Sequence, residues 1–325
     1  MTHRVFISIC SLSLVVAIVY LAPGFAIGQA KASFHTPDGQ ADLQGTWSWA
    51  TITPFERPAE FAGKEFLTEQ EAAKYEKDVI ERTNMDRRDG SAEADVGRAY
   101  NDFWWDRGTH VVKTRRTSLV IDPKDGKVPP MNAAGRERQQ ERLAANRGRE
   151  FDGPENRPLP ERCLALQGAG PPTTPTAYNN NIQIVQDKNF VSILIEMGHE
   201  VRVIPLDGRA HLPQNVRLWN GDSRGHWDGD TLVVETTNFS NKNPFRGSSE
   251  NLKLTERFRR LDAGTLLYQF TVEDPATWDR PWTVEIPVTK SQGRVFEYAC
   301  YEGNVGMYGA LSGARAEEKQ EKVSR

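Results

Sequence analysis

From Asn181 onward, apolar and polar residues alternate with a period of two. Val191, Ile193, Ile195 and Met197 fall on one face, while Ser192, Leu194 and Glu196 take the other, the pattern of a strand with one side buried. Val201-Arg202-Val203-Ile204 resumes the strand after Gly198, and Asp207-Gly208 turns it. Three hairpins are predicted beyond this point. Runs 226–227 and 231–235 flank Asp228-Gly229-Asp230, runs 252–261 and 265–273 flank Asp262-Ala263-Gly264, and runs 282–288 and 295–300 flank Ser291-Gln292-Gly293. Strands so spaced, with no helices between them, predict a mainly β fold, an antiparallel meander that closes as a barrel or folds as a sandwich.

The first half of the chain is patterned differently. One short strand is predicted around Gly45-Thr46-Trp47-Ser48-Trp49. Thr68-Glu69-Gln70-Glu71 fits a capping box, and Ala72, Tyr75, Val79 and Ile80 share one helical face beyond it, which predicts a helix of about 15 residues. Runs 111–114 and 117–121 read as strands, and Asp122-Pro123-Lys124-Asp125-Gly126 reads as a turn. Helical composition over 129–149 is followed by a Pro- and Gly-rich loop over 151–175. Peripheral helices and long loops over about 66–176 are thus expected as inserts in a single β-rich domain spanning 31–315, followed by a loose, charged tail at 316–325.

The apolar run 5–23 follows a short basic start, His3 and Arg4, and leads into the small residues of Gly28-Gln29-Ala30. This is the pattern of a cleavable signal peptide over 1–30, and it implies a periplasmic or extracellular mature protein. A membrane anchor is the competing reading, against which stand Pro23, Gly24 and the scarcity of flanking basic residues; no stable membrane insertion is expected after cleavage. The net charge is −3, so a nucleic-acid role lacks its electrostatic basis. Of three cysteines, Cys163 and Cys300 lie beyond the leader, and an oxidising compartment invites a disulfide between them. It would close a loop of about 137 residues and contribute roughly 4 kcal/mol less any strain.

Gly45-Thr46-Trp47 resembles the Gly-x-Trp that opens the first strand of lipocalin-like (calycin-type) barrels. The string Gly225-His226-Trp227-Asp228-Gly229-Asp230-Thr231-Leu232-Val233-Val234-Glu235-Thr236 resembles a large family of secreted bacterial proteins of unassigned activity. The likeness continues through Arg246 to Glu250, Glu256-Arg257-Phe258, Phe270 to Pro275 and Tyr298-Ala299-Cys300. It implies export and a lipocalin-like barrel, and it carries over no chemistry.

Two clusters stand out as candidate ligand contacts. Tyr178-Asn179-Asn180-Asn181 brings a phenol and three amides together ahead of a strand, and Trp104, Trp105, Asp106, His110, Arg115 and Arg116 combine aromatic planes with charge. From these, Trp104, Trp105, His110, Arg115, Tyr178 and Asn180 are the expected ligand-binding residues, against the alternatives of an Asx-rich turn and a plug over the barrel mouth. His199 either continues the apolar face into a cavity or sits exposed at a turn made by Gly198. Glu196, Glu200 and Arg202 are expected to form a cross-strand ion pair. Metal-ligand spacing, a Gly-x-Ser-x-Gly nucleophile and a phosphate loop are absent from the sequence, so neither metal nor cofactor is expected. The leading expectation is an exported lipocalin-like protein that binds a small apolar or aromatic molecule in its barrel. The alternatives are a cofactor-free lyase, isomerase or hydrolase in which His199 or a carboxylate moves a proton while Tyr178 or Arg115 steadies the developing charge, and an envelope interaction protein with a filled core.

Overall fold

The period-two pattern builds one antiparallel sheet that curls into a nearly closed barrel. The computed structural model describes residues 34–98 and 101–324; the expected signal peptide lies outside them. Ten strands take part: β1 (Gly45–Ser48), β2 (Val120–Asp122), β3 (Asn181–Gln186), β4 (Phe190–Ile195), β5 (Glu200–Pro205), β6 (Asp222–Asp228), β7 (Thr231–Thr237), β8 (Lys253–Asp262), β9 (Thr265–Glu273) and β10 (Trp282–Lys290). Their order is β5-β4-β3-β1-β10-β9-β8-β7-β6. β2 takes up where β1 leaves off along β10: Ser48 pairs with Thr289, and Val120 with Val284. The hairpins at Asp228-Gly229-Asp230 and Asp262-Ala263-Gly264 join their strands as expected.

Nine strands in alternating direction leave the two end strands running the same way, so β5 and β6 cannot close the barrel as a hairpin. Residues 206–221 instead carry the chain back, and β6 lies alongside β5 without a ladder between them. Asn220 donates to the Glu200 carboxylate at 3.0 Å. Farther along, Gly225 lets the strands approach, since a Cβ there would stand 2.7 Å from the Leu206 side chain. The seam is braced from within. Arg202 on β5 reaches across the interior to Glu256 on β8 with two hydrogen bonds, 2.7 and 3.1 Å, and Tyr268 donates to the same carboxylate at 2.8 Å. Arg202 therefore pairs with neither Glu196 nor Glu200. Gly198 and His199 take left-handed φ values of 76° and 56°, which breaks the register that the expected pairing assumed.

The interior is packed with side chains. Trp47, Phe258, Tyr268, Phe270 and Trp282 are fully or almost fully buried, and successive ring centroids lie 4.8, 5.6 and 6.2 Å apart from Phe258 through Tyr268 and Phe270 to Trp282. Fully burying a side chain of this class contributes about 1.5–3 kcal/mol. One end of the barrel is closed by Gln186, whose amide accepts from Leu43 N–H and donates to the Ala41 carbonyl. At the other end the Pro- and Gly-rich loop dips inward. Ala169 joins the core, and Thr173 N–H donates to the Tyr268 hydroxyl at 3.2 Å.

Helices lie outside the sheet: α1 (Glu69–Thr83), α2 (Ala92–Gly97), α3 (Ala133–Asn146) and α4 (Val305–Ser324). The Thr68–Glu71 capping box forms as expected, and α1 has 15 residues. Three expectations are corrected. Residues 295–300 form no strand: Phe296 N–H turns to the Glu196 carboxylate at 2.9 Å, and Cys300 is held by Cys163. Run 111–114 is likewise irregular, because Val111 and Val112 N–H are taken by the side chains of Glu76 and Thr53. The stretch expected as a loose tail is helical to Ser324, in keeping with the helix propensity of its Ala, Glu, Lys and Gln residues.

Candidate ligand-binding site

The two sequence clusters meet on the outer side of the barrel, beside β1 and β3. Asp106 N–H donates to the Ala177 carbonyl at 2.8 Å, and the Asn180 side chain donates to the Asp106 carbonyl; the first bond fixes the register of the two loops. Asn180 is buried and spends its amide on backbone, accepting from Thr176 N–H at 2.8 Å and donating to the Thr176 carbonyl at 2.9 Å. It clamps the site rather than facing a ligand. On the other loop, Asp102 opens a single turn, and its carboxylate takes Arg107 at 2.7 Å and Met85 N–H at 3.3 Å. That turn presents Phe103 and Trp104 outward, 85% and 56% exposed, with ring centroids 5.3 Å apart.

Phe103, Trp104, Tyr178, Phe296 and Tyr298 line an open-sided cleft of about 690 Å³. Ser48, Asn179, Asn181 and Ser291 supply neutral polar groups, and Asp106 and Glu196 supply two carboxylates. Tyr178 and Tyr298 also border a neighbouring pocket of about 430 Å³ with Pro160, Leu166, Pro175 and Met197.

Glu196 is 2% exposed. Its carboxylate accepts from Asn181 N–H at 3.2 Å, the Asn181 side chain at 3.0 Å and Phe296 N–H at 2.9 Å. Asp106 as a whole residue is exposed, but the groups packed around its carboxyl hold that group above the ordinary aspartate range. Burial is the main cause, the Glu196 charge adds to it, and the Asn180 N–H at 3.4 Å opposes it.

The cleft depends on the disulfide. Cys163 and Cys300 are bonded, with Cα atoms 5.7 Å apart, and this ties the segment carrying Phe296 and Tyr298 to the Pro- and Gly-rich loop. Tyr301 donates to the Cys163 carbonyl at 2.7 Å and reinforces the tether.

Other expected residues lie elsewhere. Trp105 turns an edge toward Tyr178, with ring centroids 6.3 Å apart, and lies under Arg107. His110 pairs with Glu76 at 3.0 Å and is exposed. Arg115 donates to the Leu67 carbonyl at 3.3 Å and adjoins the start of α1. His199 is exposed at the left-handed turn between β4 and β5, the second of its two readings. Neither His199 nor Arg115 lines the cleft, so the catalytic trio with Tyr178 is not assembled there. Sequence reasoning missed Phe296, Tyr298 and the role of Glu196. The Tyr298-Ala299-Cys300 string was the available signal, since a disulfide cysteine fixes its neighbours in place.

Among the described residues no group of three or more His, Cys, Asp or Glu side chains is placed to hold a metal ion, and no helix is long and apolar enough to cross a membrane. Comparison with known proteins finds no match: no family model, no characterised protein and no solved structure is similar to this chain.

Proposed function

We propose that the chain is an exported lipocalin-like protein that binds a small molecule with an apolar or aromatic body, at the cleft beside β1 and β3 rather than inside the barrel. The observation that carries this reading is the convergence of Phe103, Trp104, Tyr178, Phe296 and Tyr298 on one opening of about 690 Å³. Exposed aromatic rings are costly to leave in water, and a cluster of them bordered by fixed polar groups suits a ligand that is part apolar and part hydrogen-bonding. The buried rings of the interior leave the barrel to act as a scaffold, which holds β1, β3 and β4 at fixed positions behind the cleft. Export is supported by the Cys163–Cys300 bond, since disulfides persist in oxidising compartments.

Protein purified from its own host should carry a small molecule that native mass spectrometry identifies. Binding of that molecule should quench tryptophan fluorescence, and Trp104→Ala and Tyr178→Ala should each weaken it at least fivefold while the melting temperature stays within a few degrees. Unchanged affinity in both variants would remove the cleft from the binding function.

A further inference from the structure

A protein normally pairs a buried charge with an opposite one, because an uncompensated ion in a low-dielectric setting costs several kcal/mol. Glu196 departs from that rule. It is 2% exposed, it is satisfied only by neutral N–H groups of Asn181 and Phe296, and it forms no ion pair with any described residue. Asp106 lines the same cleft, where the Glu196 charge reaches it, and it too forms no ion pair with any described residue. Among the described residues, the cleft they share is lined by five aromatic rings and by no Lys, Arg or His. The nearest arginine in sequence, Arg107, is drawn off to Asp102 at 2.7 Å and over the Trp105 ring.

We infer that the missing counter-charge is the ligand's own, and that the cleft is built for an organic cation, a quaternary or tertiary ammonium attached to an apolar body. Rings present the negative face of their quadrupole to such a cation, and the two carboxylates add a net field of the same sign. A metal ion is a poorer fit. Hard cations take six or more oxygen ligands, whereas five rings share the walls here with only two carboxylates, which suits a cation that sheds its weak hydration easily.

This inference rests on the small-molecule reading above, and its test separates the two. The probes are the para-hydroxymethyl phenyltrimethylammonium ion and its neutral carbon isostere, para-tert-butylbenzyl alcohol, titrated into the oxidised full chain and followed by tryptophan fluorescence and calorimetry. The cation should bind at least about tenfold tighter than the isostere, and its affinity should fall as salt rises. Asp106→Asn should remove most of that preference and leave the isostere's affinity unchanged, whereas Trp104→Ala should weaken both. Near-ultraviolet circular dichroism checks that each variant keeps its packing, and the comparison of the two probes on the unaltered chain does not depend on any variant. Equal or tighter binding of the neutral isostere overturns the ammonium inference and leaves the small-molecule reading standing. Failure of both probes, on protein whose fold is intact, overturns both.

Discussion

Asp106 carries its chemistry because two clusters far apart in sequence converge on it. A carboxyl whose pKa is higher in the folded chain than in the unfolded one binds its proton more tightly when native. Protonation therefore favours folding, and stability falls as pH rises from the ordinary aspartate value of about 3.9 through the raised one. Above that window the native state carries the full penalty of an incompletely solvated charge beside Glu196. Asp106→Asn should accordingly raise the melting temperature at roughly pH 7 and lose that advantage near pH 4, which calorimetry at the two pH values would show. A variant less stable than the parent at both would mean that Asp106 is stabilising as a carboxylate. Glu256 presents the opposite case, a buried carboxylate with its partner in place. Glu256→Gln would leave Arg202 charged in the interior and unmatched, at an expected cost of about 3–5 kcal/mol. Tyr268→Phe should cost about 1–2 kcal/mol by freeing one acceptor and one donor, as chemical denaturation can measure. Trp104 and Tyr178 were legible as site residues because dense aromatics among polar residues are unusual on a surface. Glu196 was not, since nothing in the strand pattern says that an N–H from 100 residues onward in the chain will seek its carboxylate.

At the scale of elements, strands were legible wherever one face is buried and the other wet. β4 shows why: Val191, Ile193 and Ile195 are buried on one face, while Ser192 and Leu194 are partly exposed on the other. The same rule overreached at 295–300, where apolar and aromatic residues are spaced like a strand but join no ladder. Their partners are a side-chain carboxylate and a disulfide, both long-range and invisible to local periodicity. The odd strand count was equally hidden, because β1 and β2 together serve as one interrupted strand with the insert 49–119 between them. That count fixes a weak place. β5 and β6 face each other through side chains and one Asn220–Glu200 bond rather than a ladder. Backbone N–H groups on this seam should therefore exchange with solvent faster than those of β9 and β10, which are paired on both sides along much of their length. Hydrogen exchange read by mass spectrometry would show this as early deuteration of 200–205 and 222–228. Protection equal to that of β9 would mean that the barrel closes through backbone bonds after all.

For the whole molecule, the bond between Cys163 and Cys300 joins two loops and touches no strand. Its loop of 137 residues gives a large entropic effect on the unfolded chain, about 5 kcal/mol if unstrained. Within the native state its effect is local, since it anchors the segment bearing Phe296 and Tyr298, and hence one wall of the cleft. Folding and binding should then respond differently to reduction. The barrel has its own core of Trp47, Tyr268, Phe270 and Trp282, so the paired substitution Cys163→Ser with Cys300→Ser should lower the melting temperature yet leave the far-ultraviolet spectrum unchanged at room temperature. Ligand affinity should drop much further than this loss of stability explains, because at room temperature nearly every molecule is still folded while the wall carrying Tyr298 is free to move. Measuring affinity and unfolding free energy on the same preparations, oxidised and serine-substituted, decides the matter. Affinity that survives intact would show that Glu196, through its bond to Phe296 N–H, holds the wall without help from the disulfide.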